Sequence, residues 1–275
     1  MTRNNDELTV KNRCVIPGQG ACYISVHPSG KYLFTANYLS GDIVSCRIND
    51  NGEIGEVCDH VIHKPQGEKG SHCHCVISSV DGCFVAVTNL GLDQVYVYQF
   101  DEEKGQFVKT DNALRIELEA GVGPRHFIFH SNGKWGFLVT ENGNQVIKYQ
   151  YDGEGGLTHS QTISSLPVEY NKESYIAGAK LSRDGRYLYV SNRGYDMISV
   201  IKINQQDGRI QLVNNIKCNG TWPRDLELAD DFLAVANQKE GNIAFFKIKK
   251  GFEVVGDTEM EVRIDNPACI IHLDK

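Results

Sequence analysis

The sequence is poor in the features that mark a membrane span, a secreted disulfide scaffold or a nucleic-acid binder. No apolar stretch approaches the roughly 20 residues that a membrane helix needs. The opening residues, Met1 to Val10, are polar and lack the apolar core of a secretory signal, so the expected compartment is the cytoplasm. Positive charge is scarce: 28 Lys and Arg against 35 Asp and Glu give a formal net charge of −7. Neither nucleic acid nor an anionic membrane is therefore expected as a partner, because each needs a basic face. The nine cysteines (Cys14, Cys22, Cys46, Cys58, Cys73, Cys75, Cys83, Cys218 and Cys269) are odd in number and sit mostly in apolar, strand-like runs. Buried reduced thiols explain them better than a disulfide framework. Proline is sparse at 7 residues while glycine reaches 27, a balance that suits many tight turns better than linkers. No long window favours a helix.

What the chain has instead is a repeat. A small turn followed by an apolar run ending in Asn recurs at His27–Asn37, Val80–Asn89, Ser131–Asn142, Arg183–Asn192 and Asp230–Asn237. The closing asparagines lie 52, 53, 50 and 45 residues apart. A second turn keeps step with the first: Asp50-Asn-Gly52, Glu103-Lys-Gly105, Glu154-Gly-Gly156, Gln206-Asp-Gly208 and Lys249-Lys-Gly251. Between the two turns, alternating apolar residues mark a third strand at Ile43–Ile48, Val95–Phe100, Val146–Tyr151, Ile198–Ile203 and Ile243–Ile248. Four-stranded units of this length in series mean the blades of a β-propeller. The expected fold is all-β, a single propeller domain over residues 1–275. Its complete antiparallel blades cover about 21–71, 72–123, 124–175, 176–222 and 223–266. Partial blades are expected at both ends, over residues 1–20 and 267–275, with an outermost strand at Leu8–Cys14 and an innermost one at Ala268–Leu273.

In a propeller the first strand of each blade lines the channel and the second runs antiparallel beside it. Residues before strand one and after strand two therefore emerge on the same face. Read in that register, His72 and His74, Arg125 and His126, and Arg224 precede or open a first strand. Asn37 with Tyr38, Asn89 to Asp93, Glu141 with Asn142, Asn192 with Arg193, and Asn237 with Gln238 follow a second. Taken singly, the asparagines read as turn formers, the arginines as solvated surface residues, and His126 as a bond to a neighbouring blade. Taken together, like-charged arginines at one mouth repel unless an anion lies between them. A ring of Arg and His around one Glu suits an anionic, acyl-type substrate. The run His72-Cys73-His74-Cys75 has metal-binding residue types, but strand alternation sends the histidines one way and the cysteines the other. No second cluster completes a zinc site, and no metal or other cofactor is expected. Nucleophile-elbow, phosphate-loop and dinucleotide motifs are not found.

The ordered set Ala36-Asn37-Tyr38, Ser71-His72-Cys73-His74-Cys75-Val76, Asn89-Leu90-Gly91-Leu92-Asp93, Gly123-Pro124-Arg125-His126, Glu141-Asn142, Ser191-Asn192-Arg193-Gly194 and Trp222-Pro223-Arg224 resembles the lactonase family. That family holds the seven-bladed-propeller 6-phosphogluconolactonases and the fungal carboxymuconate-lactonising enzyme. The similarity runs along nearly the whole chain. The resemblance implies His74, Arg125, Glu141 and Arg193 as the catalytic group, and His72, His126, Asn192, Arg224 and Asn37 at the same mouth are the candidate substrate-binding residues. Cys73, Val80 and Arg183 stand where the family commonly has proline, and Gly178 where it often has an acid. Relative to seven blades, on the order of 70 residues are missing at the start. That leaves either an open ring with edges free to self-associate or a tightened five-bladed one. The implied activity is opening of a small anionic sugar lactone, with 6-phosphogluconolactone favoured. A muconate-type intramolecular lyase and a non-catalytic propeller that binds protein or carbohydrate are the alternatives.

Overall fold

The computed structural model describes residues 2–4, 7–65, 67–108, 114–229, 232–249 and 253–273. It contains strands and turns and, among the described residues, no helix. Strands β1 (Thr2–Asn4) and β2 (Glu7–Thr9) form a hairpin. The first four-stranded sheet runs in order through β3 (Ala21–Val26), β4 (Tyr32–Asn37), β5 (Asp42–Ile48) and β6 (Ile54–Ile62). The second is β7 (Cys73–Ser78), β8 (Phe84–Asn89) and β9 (Gln94–Asp101), with both β10 (Gln106–Val108) and β11 (Leu114–Glu117) on the outer side of β9. The third is β12 (Pro124–Phe129), β13 (Trp135–Thr140), β14 (Gln145–Tyr151) and β15 (Leu157–Ser164). The fourth is β16 (Tyr175–Leu181), β17 (Tyr187–Arg193), β18 (Met197–Ile203) and β19 (Ile210–Lys217). The fifth is β20 (Pro223–Leu228), β21 (Phe232–Asn237), β22 (Asn242–Lys249) and β23 (Glu253–Arg263). These are five antiparallel propeller blades, and every expected third strand falls within β5, β9, β14, β18 or β22. Asp230 and Asp231, and the end of the expected Lys249–Gly251 turn, lie outside the described residues.

The chain divides into two compact units, residues 1–129 with 151–157, and residues 130–150 with 158–275. In the first, Tyr32, Phe34, Ile43, Val76, Val85, Val87, Phe100 and Phe107 form one buried apolar cluster between the first two sheets. In the second, Tyr189, Ile198, Val200, Leu226, Leu233, Val235 and Phe246 do the same for the last two. Each fully buried side chain of this size contributes about 1.5–3 kcal/mol. Middle strands such as β13 are buried on both faces, whereas fourth strands such as β15 and β19 stay largely exposed.

The repeated turns have a packing reason. His27 Nε2 bonds the Gly82 carbonyl of the next blade at 2.9 Å, and His130 Nε2 bonds Gly185 in the same way at 2.9 Å. Gly105 has a φ of 73° and lies against the Tyr32 ring, where an added Cβ would come within 2.4 Å. Gly208 sits likewise against Trp135, at 2.6 Å. Only glycine both takes the left-handed conformation and admits the ring.

Three expectations are corrected. In the third blade Thr140, not Asn142, occupies the closing position: its Oγ1 accepts from Gln145 N at 3.0 Å, five residues on, as Asn37 pairs with Asp42 and Asn192 with Met197. The closing residues are then 52, 51, 52 and 45 apart, a steadier period than the asparagines alone suggest. Leu8–Cys14 is not a blade strand; only Glu7–Thr9 is extended, and it pairs with Thr2–Asn4. Side chains replace the ladder beyond it, since Asn12 donates to Ile54 O at 2.7 Å and accepts from Ile54 N at 3.1 Å. Ala268–Leu273 forms no strand either, and its Ile270 amide goes to the Asp225 carboxylate at 3.0 Å.

Candidate active site

One backbone device recurs at the start of the first strands. The residue paired with the closing Asn is followed by a single unpaired residue before the ladder resumes: Ala21↔Asn37 is followed by Tyr23↔Ala36, Cys73↔Asn89 by Cys75↔Thr88, and Pro223↔Asn237 by Asp225↔Ala236. The β16–β17 ladder shifts at the same place, between Ile176 and Ala179. These are β-bulges, which kink a strand and re-aim side chains. The extra residues are Cys22, His74 and Arg224. A bulge also shifts the phase of the pleat by one residue, which corrects the expected alternation in His72–Cys75. Cys73 shares a face with Asn89 and Val76, while Cys75 lies on the other. Cys73 Sγ meets His63 Nδ1 at 3.0 Å, and Cys75 Sγ reaches the Phe127 carbonyl at 3.8 Å. Burial drives the Cys73 thiol well above its ordinary pKa and that of Cys75 up to about 12, so neither is a thiolate near neutrality. All nine cysteines are free thiols.

In the first unit the sequence-predicted His72, His74, Arg125 and His126 come together with Tyr23 and Tyr38. His72 stacks on Tyr38 at 4.5 Å between ring centres, and its Nδ1 bonds the Tyr38 carbonyl at 2.9 Å. The buried His74 meets the Tyr38 ring edge-on at 5.9 Å and the His126 ring at 5.4 Å. His126 in turn meets Tyr23 at 5.3 Å, and its Nε2 lies 2.9 Å from Nη1 of the buried Arg125. The Arg125 backbone is fixed from two sides. Thr88 Oγ1 donates to its carbonyl at 2.8 Å, and Asp93 takes the amides of Gly121 and Gly123 at 2.9 and 3.0 Å, just before β12. Burial by itself would push the Asp93 carboxyl up. The two amides and the Lys69 ammonium at 2.9 Å outweigh it and hold the group below its usual range.

In the second unit Glu141 and Arg193 form an ion pair, Oε1 to Nη2 at 3.0 Å, with both side chains largely shielded from solvent. Each is the first residue after a closing position, so the blade repeat presents them alike. The Arg193 guanidinium also donates to the Ile176 carbonyl at 3.0 Å and lies 5.9 Å from the Tyr175 ring centre and 5.6 Å from that of Trp222. Arg224, at its bulge, makes no hydrogen bond or ion pair with any described residue. Beside it, burial raises the Asp225 carboxyl above its ordinary value, against the opposing pull of the Ile270 amide and Lys180.

The two predicted asparagines lie apart from these groups in chemistry. Asn37 and Asn192 are buried. Asn37 donates to the Asp42 carboxylate and to Pro17 O at 3.2 Å. Asn192 accepts from Ser165 at 2.6 Å and donates to Ser199 at 2.8 Å. Asn89 and Asn237 likewise reach Ser71 and Cys218. Each closing asparagine thus ties its own turn to the segment that enters the blade. Sequence reasoning passed over Tyr23, Tyr175 and Lys239. For the aromatic pair the available signal was position, since each lies in or next to the start of a first strand.

These features define a five-bladed set of propeller sheets that carries arginine, histidine and glutamate at the ends of its inner strands. The pattern of the lactonase family with a seven-bladed β-propeller matches residues 1–272, and the chain belongs to that family of lactonases. It is 28% identical to a 6-phosphogluconolactonase of Bacillus subtilis over 98% of this chain and 77% of that protein. The periplasmic gluconolactonase of Pseudomonas aeruginosa superposes with a TM-score of 0.82 at 29% identity, over 90% of this chain and 72% of the other. A protein from Lactobacillus plantarum does so with a TM-score of 0.84 at 30% identity, over 93% and 75%. No described helix is long and apolar enough to cross a membrane.

Proposed function

We propose that the chain hydrolyses a sugar δ-lactone, with 6-phosphogluconolactone as substrate and 6-phosphogluconate as product. Ester opening needs a base for the attacking water, stabilisation of the oxyanion, and a proton for the leaving alkoxide. A carboxylate oxygen can accept a proton from an attacking water, which suits Glu141 to the first task. As water adds to the carbonyl carbon, its proton passes to Glu141. The charge that develops on the carbonyl oxygen is met by Arg193, whose fixed positive charge needs no reorganisation at the moment of reaction. Collapse breaks the ring C–O bond, and the alkoxide takes its proton from the carboxylic acid that Glu141 became in the first step. Within the first unit, His126 orients His74 and Arg125, to which the family resemblance also gives catalytic roles, through the ring and hydrogen-bond contacts described above. Every step uses side chains of this chain alone. The cytoplasm is the compartment proposed, on the strength of nine free thiols.

The observation that carries this reading is the shielded Glu141–Arg193 pair at 3.0 Å in a member of the lactonase family. The test is proton release on mixing the protein with glucono-δ-lactone or its 6-phosphate in weak buffer. Turnover above the spontaneous rate supports the reading, and its absence with both lactones overturns it.

A further inference from the structure

Neither the blade repeat nor the acid–base groups account for Trp222. Its φ of 63° puts a bulky residue in the left-handed region, where such residues are genuine outliers. Strain of this kind persists only where the surroundings over-determine it, and it collects at ligand sites. Here the surroundings do so. The Trp222 amide donates to Asp196 Oδ1 at 2.9 Å, its carbonyl accepts from Gln238 N at 3.0 Å, and the next residue, Pro223, pairs with Asn237. Held in this way, the indole meets two cations. The Arg193 guanidinium lies 5.6 Å from its ring centre, and Lys239 Nζ only 3.3 Å.

Arg193 has its counter-charge in Glu141. Lys239 has none: it makes no hydrogen bond or ion pair with any described residue, and its neighbour Glu240 is paired with Arg263 at 3.6 Å. Arg224, two residues beyond Trp222 and lifted out of the ladder by its bulge, is equally uncompensated. Uncompensated cations gathered at one end of β20 and β21 make a local positive field in a chain whose net charge is −7. Lys239 is exposed above the indole face and so open to a strongly charged acceptor.

We infer that Trp222, Lys239 and Arg224 form a subsite for the phosphate group of the substrate. Lys239 supplies a point charge, Arg224 a planar fork that matches two phosphate oxygens, and the strained indole holds the ammonium over its face. The inference rests on the lactonase reading for what carries the phosphate, not for the phosphate itself.

The chain has two tryptophans, so Trp135→Phe leaves Trp222 as the only indole and keeps an aromatic ring against Gly208. In that background, titration with inorganic phosphate is expected to change the tryptophan emission saturably. Lys239→Met and Arg224→Met should each weaken the apparent Kd at least tenfold, with circular dichroism confirming the folded state. A flat titration, or one indifferent to both substitutions, overturns the subsite. With substrates, Lys239→Met should lower kcat/KM for the phosphorylated lactone at least tenfold more than for glucono-δ-lactone, and equal losses overturn the subsite. If neither lactone is opened, the lactonase reading falls while the phosphate titration still decides the subsite.

Discussion

In the first unit His72, His74 and His126 are held by rings, stacked or edge-on against Tyr38, Tyr23 and one another. In the second, Arg193 is held by a carboxylate, a backbone carbonyl and two aromatic faces. The contrast is between groups positioned by aromatic packing and groups positioned by ion pairing. An arginine that must face a developing oxyanion is best placed where its charge is permanent and its plane is fixed.

The largest effects should come from the groups that move protons. Glu141→Gln and His74→Ala are each expected to lower lactone turnover roughly 100-fold, within the range for positioned acid–base groups. If only one of the two falls, proton transfer belongs to that group alone. Arg193→Lys keeps the charge but loses the planar contact with Trp222 and Tyr175 and one of the guanidinium donors. About tenfold in kcat/KM should follow, and a variant with unchanged kinetics would show that Arg193 acts as a charge only.

Smaller effects test the frame. His27 and His130 are matched bonds to the next blade's turn, one in each unit. Replacing either by Ala leaves a buried carbonyl without its donor and should cost about 1–3 kcal/mol, read as a lower urea midpoint. Unequal losses would show that the two units are not equally dependent on the repeat. The smallest effect is in pH. Asp93, whose carboxyl is lowered in the fold, contributes stability that is present above its unfolded value near 4 and is lost as pH falls through the lower folded value. Asp225, raised by burial, has the opposite sign: the folded state binds its proton more tightly, so stability is gained as pH falls through the raised value. Asp93→Asn should therefore flatten the loss of stability between pH 5 and 3, and Asp225→Asn should steepen it. The same change of slope in both variants would refute the opposite shifts.

Much of this was legible before any coordinates. The turns declare themselves because Asp-Gly and Asn-Gly satisfy a local backbone requirement, and local requirements are written in adjacent residues. The third blade was misread by two positions for the same reason. A search for Asn settles on Asn142, whereas the ladder only needs an oxygen that can accept from the residue five on, and Thr140 provides it. The asparagines mark the blade ends in sequence, yet their amides serve the turns, which only their partners reveal.

The chain by itself determined the blade count, the strand order and the end of each blade at which arginine, histidine and glutamate emerge, because period-two patterning and turn chemistry act over a few residues. Only the tertiary structure decided how those side chains are aimed. The bulges at Cys22, His74 and Arg224 are offsets between two strands, invisible in either strand alone, and each turns one residue away from the pleat that its neighbours obey. The left-handed Trp222, with Lys239 on its ring, arises in the same way, from bonds to Asp196 and Gln238 that lie 26 and 16 residues away along the chain. Such placements depend on which backbone groups find partners after the sheets have formed, and no local propensity encodes that.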